Sequence, residues 1–172
     1  MFAKVEIFKT FEKVRFYTVR LEIEEYWEEE TEADKFFQKF LDEPEKPSSG
    51  AELIFNTIIE IGNRGAKKRY FRFENRANAL PPPANTLVEL GQSEETSGEH
   101  LRLYCIRLNE EIVILINGER KTKETAQECP LVAPHFRLAN KIAKKIDEAL
   151  FNREVILKGR ALQFDSNFEL EL

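Results

Sequence analysis

Apolar and polar residues alternate first at strand spacing and then at helical spacing along the first part of the chain. Between Val5 and Ile23, β-favouring residues are interleaved with charges, which predicts one or two strands. Thr31 followed by Asp34 is a helix-start signature, and the aromatic residues of 36–41 then recur at helical spacing. The two prolines within 44–47 are expected to end this short helix, because proline cannot continue one.

A second helix is predicted directly after these prolines. Ser49 and Glu52 form another capping-box pattern, and three isoleucines over 54–61 recur at intervals of four and three residues. Gly62 is expected to stop the helix. The pattern predicts that the helix buries one isoleucine stripe.

A stiff connector of three prolines, Pro81–Pro83, leads into a region rich in β-favouring residues. Thr86–Leu90 is predicted to be a short strand. Leu101–Leu108 and Ile112–Ile116 then form the clearest β-hairpin in the sequence. The second run is almost entirely β-branched, which is typical of a central strand buried on both faces.

The last third of the sequence predicts a long helix followed by short strands. A turn at 117–118 is expected to end the preceding strand. Pro134 suits the first turn of a helix, and apolar residues over 136–150 recur on one helical face. Val155–Leu157 and the alternating residues of 168–172 indicate one or two terminal strands.

This order of elements predicts one α+β domain covering residues 1–172, a length typical of a single domain. The sheet is expected to be mainly antiparallel and twisted. Two helices precede the central strands, one long helix follows them, and extra strands lie at 1–14 and at 152–172.

Composition excludes several classes of function. No apolar run is long enough to cross a membrane, and charges interrupt the N-terminal residues, so a cytoplasmic protein with no membrane partner is expected. Cys105 and Cys129 are expected to be free thiols in a reducing compartment. No spacing of these cysteines with His100 or His135 resembles a zinc site, so neither a metal nor another cofactor is expected. Both histidines are interpreted as surface or turn residues, with a proton donor as the alternative for His135 beside Pro134.

The net charge of −5 conceals two segments of opposite sign. The basic run, residues 64–76, contains one acid, Glu74, and six basic side chains: Arg64, Lys67, Lys68, Arg69, Arg72 and Arg76. The glutamate run, residues 22–32, contains seven glutamates and no basic residue. We interpret the glutamate run as the solvated entry to the first helix. The basic run is either an RNA-binding surface or the pairing partner of the glutamate run, within the chain or across a dimer.

Aromatic residues lie within both charged segments. Phe71 and Phe73 of the basic run are expected to be buried, although they and Tyr70 could instead stack on the bases of single-stranded RNA. Tyr26 and Trp27, flanked by glutamates, are interpreted as part of the helix entry or as an exposed pair that binds a partner.

Three segments between residues 101 and 125 carry a family resemblance. Leu101–Ile106 reads as a strand in which an arginine follows an apolar residue, and Glu111–Ile116 reads as the next strand. Gly118–Thr125 is a basic turn rich in lysine and threonine. These segments are similar to those of the RelE/ParE toxin superfamily, including its HigB and phage Gp49-like branch, and the likeness extends over about residues 15–151.

The resemblance implies a RelE-like fold and a type II toxin of a toxin–antitoxin system. Such toxins are typically metal-independent mRNA interferases that cut RNA on the ribosome, or gyrase poisons in the ParE branch, and a cognate antitoxin protein neutralises them. Arg102 matches the strand arginine of the family, and Arg120 with Lys121 match its cationic turn. Lys123 and Tyr104 are further candidates for the catalytic site.

RNA cleavage by attack of the 2′-hydroxyl needs a base, an acid and cations that stabilise the phosphorane. Arg102, Arg120 and Lys121 would converge if the two strands pair as a hairpin; otherwise they are solvated charges at the open end of a sheet. The positions after the turn, 124–127, contain no tyrosine or histidine, and Cys105 stands where the family has an aromatic residue. The acid and base are therefore unassigned.

A non-catalytic binding or regulatory protein on the same fold, or an unrelated function, is the alternative, and the oligomeric state is open.

Overall fold

Strands and helices follow one another along the chain in an α+β order. The computed structural model describes residues 1–42, 48–93 and 100–172. Its elements, in chain order, are β1 (Phe2–Thr10), β2 (Arg15–Ile23), β3 (Tyr26–Trp27), α1 (Glu32–Phe40), α2 (Ser49–Arg64), β4 (Arg72–Glu74), β5 (Ala77–Leu80), α3 (Ala84–Glu89), β6 (Leu101–Arg107), β7 (Ile112–Arg120), α4 (Ala133–Phe151), β8 (Ile156–Lys158), β9 (Ala161–Gln163) and β10 (Leu170–Glu171). The predicted α+β class is confirmed.

One large sheet runs through the molecule in the order β10-β1-β2-β7-β6-β5-β4, and β3 pairs with β2. Its strand pairs are antiparallel except for β2 and β7, which are parallel, with Arg15 opposite Ile112. The sheet is therefore mixed and mainly antiparallel. β8 and β9 form a separate two-stranded hairpin.

Two hydrophobic clusters cover the two faces of the sheet. Phenylalanines of α1 and isoleucines of α2 pack on one face, and the apolar stripe of α4 packs on the other. Strand β7 contributes to both clusters, because Ile114 belongs to the α4 side while Val113 and Leu115 belong to the α1 and α2 side. The prediction of a central strand buried on both faces is confirmed.

The helix ends agree with the sequence at α1 and differ at α2. Thr31 caps α1 in a capping box with Asp34, as predicted. Ser48 rather than Ser49 caps α2, and the helix passes Gly62 to end at Arg64, with Gly65 as its C-terminal cap, whose φ of +108° favours glycine. Gly62 instead lies against the ring of Phe11, where an added Cβ would come within 2.3 Å of Cγ. The prolines of 44–47 lie outside the described residues.

The strand predicted at Thr86–Leu90 is wrong, because this segment belongs to helix α3. Leu87 and Leu90 are both buried, and their spacing of three residues suits one face of a helical turn. Pro83 occupies the N-terminal cap position, where a missing N–H costs nothing. The proline connector therefore starts a helix rather than a strand.

Strand β7 does not turn at 117–118 as predicted but continues to Arg120. The register shifts between Leu103 and Cys105, so the strand is bulged and remains paired with β6. Gly118 allows this close approach, since an added Cβ would lie 1.7 Å from the carbonyl oxygen of Arg102. The longer strand carries the cationic residues to the end of the hairpin.

Candidate functional site

The end of the β6–β7 hairpin brings together the backbones of the predicted catalytic residues. Arg102 lies opposite Glu119, the residue before Arg120. Lys121 continues this pairing, because its backbone N–H donates to the carbonyl of His100 at 3.0 Å. The hairpin therefore places the backbones of Arg102, Arg120 and Lys121 at one end, and whether their side chains act together stays a prediction.

The side chains of these residues differ in exposure. The side chain of Arg120 is 45% exposed, and its guanidinium carbon lies 5.1 Å from the ring centroid of Phe40. Lys121 is half-buried and Lys123 is exposed in the turn after β7. Arg102 is only 8% exposed and donates from Nη1 to the carbonyl of the preceding residue at 3.0 Å. Arg120, Lys121 and Lys123 can meet a ligand, whereas Arg102 lies in the interior of the sheet.

Tyr104 lies in the core, with none of its surface exposed. Its ring packs edge-on against Phe136 of α4, with the ring centroids 6.0 Å apart. Burial raises the pKa of the Tyr104 hydroxyl, and the charge of Glu74 adds to this effect. The hydroxyl has no hydrogen-bond partner among the described residues. A substrate cannot reach Tyr104 in this arrangement, so its position does not suit a catalytic role.

A buried carboxylate that the sequence did not single out lies beside Arg120. Glu119 is 8% exposed and forms an ion pair with Lys39 of α1. The backbone N–H of Arg120 donates to its Oε1 at 3.1 Å, and Arg120 Nη1 lies 3.9 Å from the same oxygen. Lys39 and Arg120 both lie near the ring of Phe40. Glu119 therefore joins two exposed cations from different elements.

A second buried carboxylate lies on the same side of the sheet. Glu32, at the start of α1, is 3% exposed and accepts hydrogen bonds from Lys35 Nζ at 2.6 Å and from Asn117 Nδ2 at 3.1 Å. Lys35 also pairs with Glu28. Burial alone would lower the pKa of Lys35, but these two glutamates outweigh burial and raise it. Glu32 and Glu28 are the two members of the glutamate run that this network uses.

His135 lies in the first turn of α4, and the charges of these residues act on its pKa. It is half-buried, and burial lowers its pKa. The charges of Glu32 and Glu119 raise the pKa of His135, whereas the charges of Lys39 and Lys35 lower it further. We call these five residues the acid–base cluster. Its members come from α1, the end of β7 and the start of α4, and Glu119 directly precedes Arg120.

Cys129 fixes the start of α4 against the cationic turn. Its Sγ lies 3.3 Å from the backbone nitrogen and 3.4 Å from the hydroxyl of Thr122. Burial would raise the pKa of the Cys129 thiol, but hydrogen bonds from Thr122 and from the N–H groups of Val132 and Leu131 outweigh it and lower the pKa to about 6. Thr122 follows Lys121 directly, so these bonds hold the turn beside the residues that lead into His135.

The basic run does not form one cationic surface. Three of its arginines form ion pairs with acids on three different helices: Arg64 with Glu60 of α2, Arg69 with Glu89 of α3 and Arg76 with Asp147 of α4. All three acids lie outside the glutamate run. Arg72 donates from Nε to the carbonyl of Pro81 at 2.7 Å. Lys67 is half-buried, with its Nζ 6.0 Å from the ring centroid of the buried Tyr70, and Lys68 is exposed.

The two phenylalanines of the basic run differ in burial. Phe71 is buried, as predicted, but Phe73 is 83% exposed, so the prediction of its burial is wrong. Phe73 lies on β4, which ends the sheet and has no neighbouring strand on its outer side among the described residues. In the glutamate run, Tyr26 is exposed and Trp27 is partly covered by Lys4, whose Nζ lies 3.9 Å from the ring centroid.

Sequence reasoning missed Glu119 and Lys39 as site residues and interpreted His135 as structural. Glu119 and Lys39 are 80 positions apart, so no local spacing connects them. A local indication was nonetheless present in the sequence, because Glu119 is an acid directly before the cationic turn. Its pairing with α1 depends on the packing of that helix across β7.

Within the described part of the chain, no group of three or more His, Cys, Asp or Glu side chains is arranged to hold a metal ion. In the same ranges no helix is both long and apolar enough to cross a membrane. No family model, curated protein or solved structure matches this chain. The fold and the site define an α+β protein with a mixed sheet, in which a cationic hairpin end adjoins buried acids.

Proposed function

We propose that this protein is a toxin of the RelE/ParE type that cleaves messenger RNA without a metal ion. The observation that carries the proposal is the group of accessible cations, Arg120, Lys121 and Lys123, at the end of the central hairpin. Arginine and lysine at such a position can bind a phosphodiester and stabilise the charge that develops on its oxygens. These are also the residues that match the cationic turn of the family.

The order of elements supports the same proposal. Strand β2, helices α1 and α2, strands β5, β6 and β7, and helix α4 follow one another as the resemblance implies. The four strands lie side by side in the order β2-β7-β6-β5, with α1 and α2 packed on one face. The proposed partners are messenger RNA on the ribosome and a cognate antitoxin protein.

Lys68, Arg72 and the exposed ring of Phe73 are the parts of the basic run best suited to bind RNA. Phe73 presents its ring to solvent on the edge strand, between Arg72 and Glu74. An unstacked base on such a ring contributes about 1–3 kcal/mol. Because Arg64, Arg69 and Arg76 already pair with acids, we propose only a secondary role for them.

Inducible expression in a bacterial host tests the proposal. We expect the wild-type protein to arrest growth and fragment transcripts. The triple variant Arg120→Ala, Lys121→Ala, Lys123→Ala should do neither at equal soluble expression. The matched control, Lys141→Ala, Lys144→Ala, Lys145→Ala on α4, removes the same charge and should behave as the wild type. Unimpaired growth with intact transcripts from the wild-type protein would overturn the proposal.

A second candidate is a non-catalytic binding protein on the same fold. The burial of Arg102 and Tyr104 favours it, since two of the residues expected to contact RNA are inaccessible. Under this alternative the cationic turn binds RNA but cleaves none. Retention of labelled, uncleaved RNA by the purified wild-type protein, lost in the triple variant, would support it.

A further inference from the structure

Helix α1 contains two lysines, and they differ in how their charge is balanced. Lys35 forms ion pairs with two glutamates, Glu28 and Glu32, and its side chain is 28% exposed. Lys39 forms an ion pair with Glu119 alone among the described residues, and its side chain is 59% exposed. Two acids therefore outweigh the charge of Lys35, whereas the charge of Lys39 is accessible from solvent.

Lys39 is a neighbour of Arg120, because both interact with the same carboxylate. Lys39 Nζ donates to Oε2 of Glu119. The backbone N–H of Arg120 donates to Oε1 of Glu119 at 3.1 Å, and Arg120 Nη1 lies 3.9 Å from that oxygen. Two cations thus share one carboxylate, which leaves one positive charge in excess. This charge can meet a ligand, since the side chain of Arg120 is 45% exposed.

The ring of Phe40 lies close to both cations. Lys39 Nζ is 5.2 Å and the guanidinium carbon of Arg120 is 5.1 Å from the ring centroid. A cation within about 6 Å of an aromatic centroid is attracted to the ring. Phe40 is buried in the core on the α1 side of the sheet, so the core fixes its position. Glu119 and Phe40 are therefore two buried groups that hold two long side chains together.

We propose that Lys39 binds the phosphate backbone of RNA together with Arg120, and that Glu119 is the positioning residue of this pair; the inference rests on the proposed binding of RNA at the β7 turn. RNA is a polyanion, and adjacent cations can form charge-assisted hydrogen bonds with its phosphate oxygens. A carboxylate that holds the two side chains in place reduces the rotamer entropy that they lose on binding. The pair extends the cationic surface from the turn to α1.

Binding of a fluorescein-labelled, 2′-O-methylated single-stranded RNA tests the proposal, because this RNA lacks the free 2′-hydroxyl that cleavage requires. Lys39→Ala should weaken binding by about fivefold, the upper effect of one exposed ion pair. It should also reduce the slope of log Kd against log salt concentration by about 0.7, the value for one phosphate contact on a single strand. Lys39→Arg keeps the charge and should keep the wild-type slope.

Cleavage of messenger RNA by the purified protein, both free and during translation on ribosomes, is measured in parallel. In a wild-type protein that cleaves RNA, Lys39→Ala should raise KM by about fivefold and leave kcat unchanged, because it removes a contact that binds the substrate. The same ratio then applies whether the protein acts on free RNA or only on ribosomes.

Lys144→Ala is the matched control on α4. The side chain of Lys144 is 61% exposed and also forms an ion pair with a glutamate, Glu148, at 3.9 Å. Because this substitution changes the net charge by the same amount, the Kd and the salt slope should stay close to those of the wild type. Thermal unfolding of each variant checks that it is folded.

Glu119→Gln separates positioning from the effect of charge alone. A glutamate that acted only as a nearby negative charge would weaken the binding of RNA, so its removal would tighten binding. A glutamate that positions Lys39 and Arg120 strengthens binding, so we expect Glu119→Gln to weaken it. Tighter binding by a folded Glu119→Gln variant would refute the positioning role.

The outcomes distinguish this inference from the proposed function. A wild-type protein that neither binds the RNA probe nor cleaves messenger RNA overturns both. Binding without cleavage, weakened by Lys39→Ala, supports this inference and the non-catalytic alternative. Unchanged binding, salt slope and cleavage in a folded Lys39→Ala variant overturn this inference alone. An equal loss in Lys144→Ala would also overturn it, because the loss would then reflect net charge rather than a local contact.

Discussion

Replacing Tyr104 by phenylalanine tests whether this residue is structural or catalytic. The ring lies in the core against Phe136, and the hydroxyl has no hydrogen-bond partner among the described residues. A buried polar group without a partner costs about 1–3 kcal/mol. Tyr104→Phe keeps the ring and removes only the oxygen, so the protein should become more stable by about 1 kcal/mol. In a chain of 172 residues this corresponds to a rise in Tm of about 2–4 °C.

Tyr17→Phe is the matched control. The hydroxyl of Tyr17 accepts a hydrogen bond from Leu162 N–H at 2.9 Å and donates to the carbonyl of Arg160 at 3.4 Å. Its removal leaves the Leu162 N–H without this acceptor, so Tyr17→Phe should lower the stability by about 1 kcal/mol. Both variants remove one tyrosine hydroxyl, so opposite changes in their stability would isolate the effect of hydrogen bonding.

Thermal and urea unfolding measure both changes, and the RNA cleavage assay measures activity. Under the proposed function, Tyr104→Phe should cleave RNA at the wild-type rate, because a substrate cannot reach the hydroxyl. A fall in stability on Tyr104→Phe would show that the hydroxyl has a partner and would refute the energetic argument. Loss of cleavage in a folded Tyr104→Phe protein would refute the argument from burial.

Three further changes test the local structure. Gly118→Ala should destabilise the protein strongly, as measured by urea unfolding, because the new Cβ would lie 1.7 Å from the Arg102 carbonyl oxygen. Thr31→Ala removes the N-terminal cap of α1 and should cost about 0.5–2 kcal/mol of unfolding free energy. The folded pKa of Cys129 lies below its usual value, so its contribution to stability is fully present only at alkaline pH and is lost as pH falls towards about 6. Cys129→Ser should remove this part of the pH dependence of urea unfolding.

Each of these changes has a comparison in the same chain. Gly159→Ala adds a Cβ with no atom within 4 Å, so its cost is limited to the backbone strain of a φ of +57° and should be smaller than that of Gly118→Ala. Ser48→Ala removes the cap of α2 and should have an effect similar to that of Thr31→Ala. Burial raises the pKa of the Cys105 thiol, so Cys105→Ala should leave the pH dependence between pH 6 and 9 unchanged. Equal costs for the two glycines, or a pH dependence that survives Cys129→Ser, would contradict the reasoning.

Elements with a strong local signal were predictable from the sequence. Thr31 with Asp34 specifies the start of α1 through hydrogen bonds within four residues, and the structure contains both bonds. The β-branched run of β7 and the one-sided apolar face of α4 are equally local patterns. These elements can be predicted without knowing their neighbours in the fold, because capping, periodicity and burial are encoded in the same short segments.

Features that depend on packing between distant segments were not predictable. The continuation of β7 past 117–118 depends on its pairing with β6, which offsets the turn preference of asparagine and glycine. The exposure of Phe73 depends on β4 being the edge of the sheet. The burial of Arg102 had a sequence signal that was not used: Leu101–Ile106 is apolar on both sides of Arg102, and a strand with apolar residues on both faces is covered on both.

The acid–base cluster is a costly arrangement if it serves only stability. Removing Glu32 and Glu119 from water carries a large desolvation penalty, which ion pairs with Lys35 and Lys39 offset only in part. Buried ion pairs of this kind can often be replaced by apolar residues with little loss of stability, so stability alone does not explain them. Here Glu119 directly precedes Arg120, one of the accessible cations of the β7 turn. Under the proposed function, preorganised charges at this position would help to bind an anionic substrate and to stabilise the charge that develops on it.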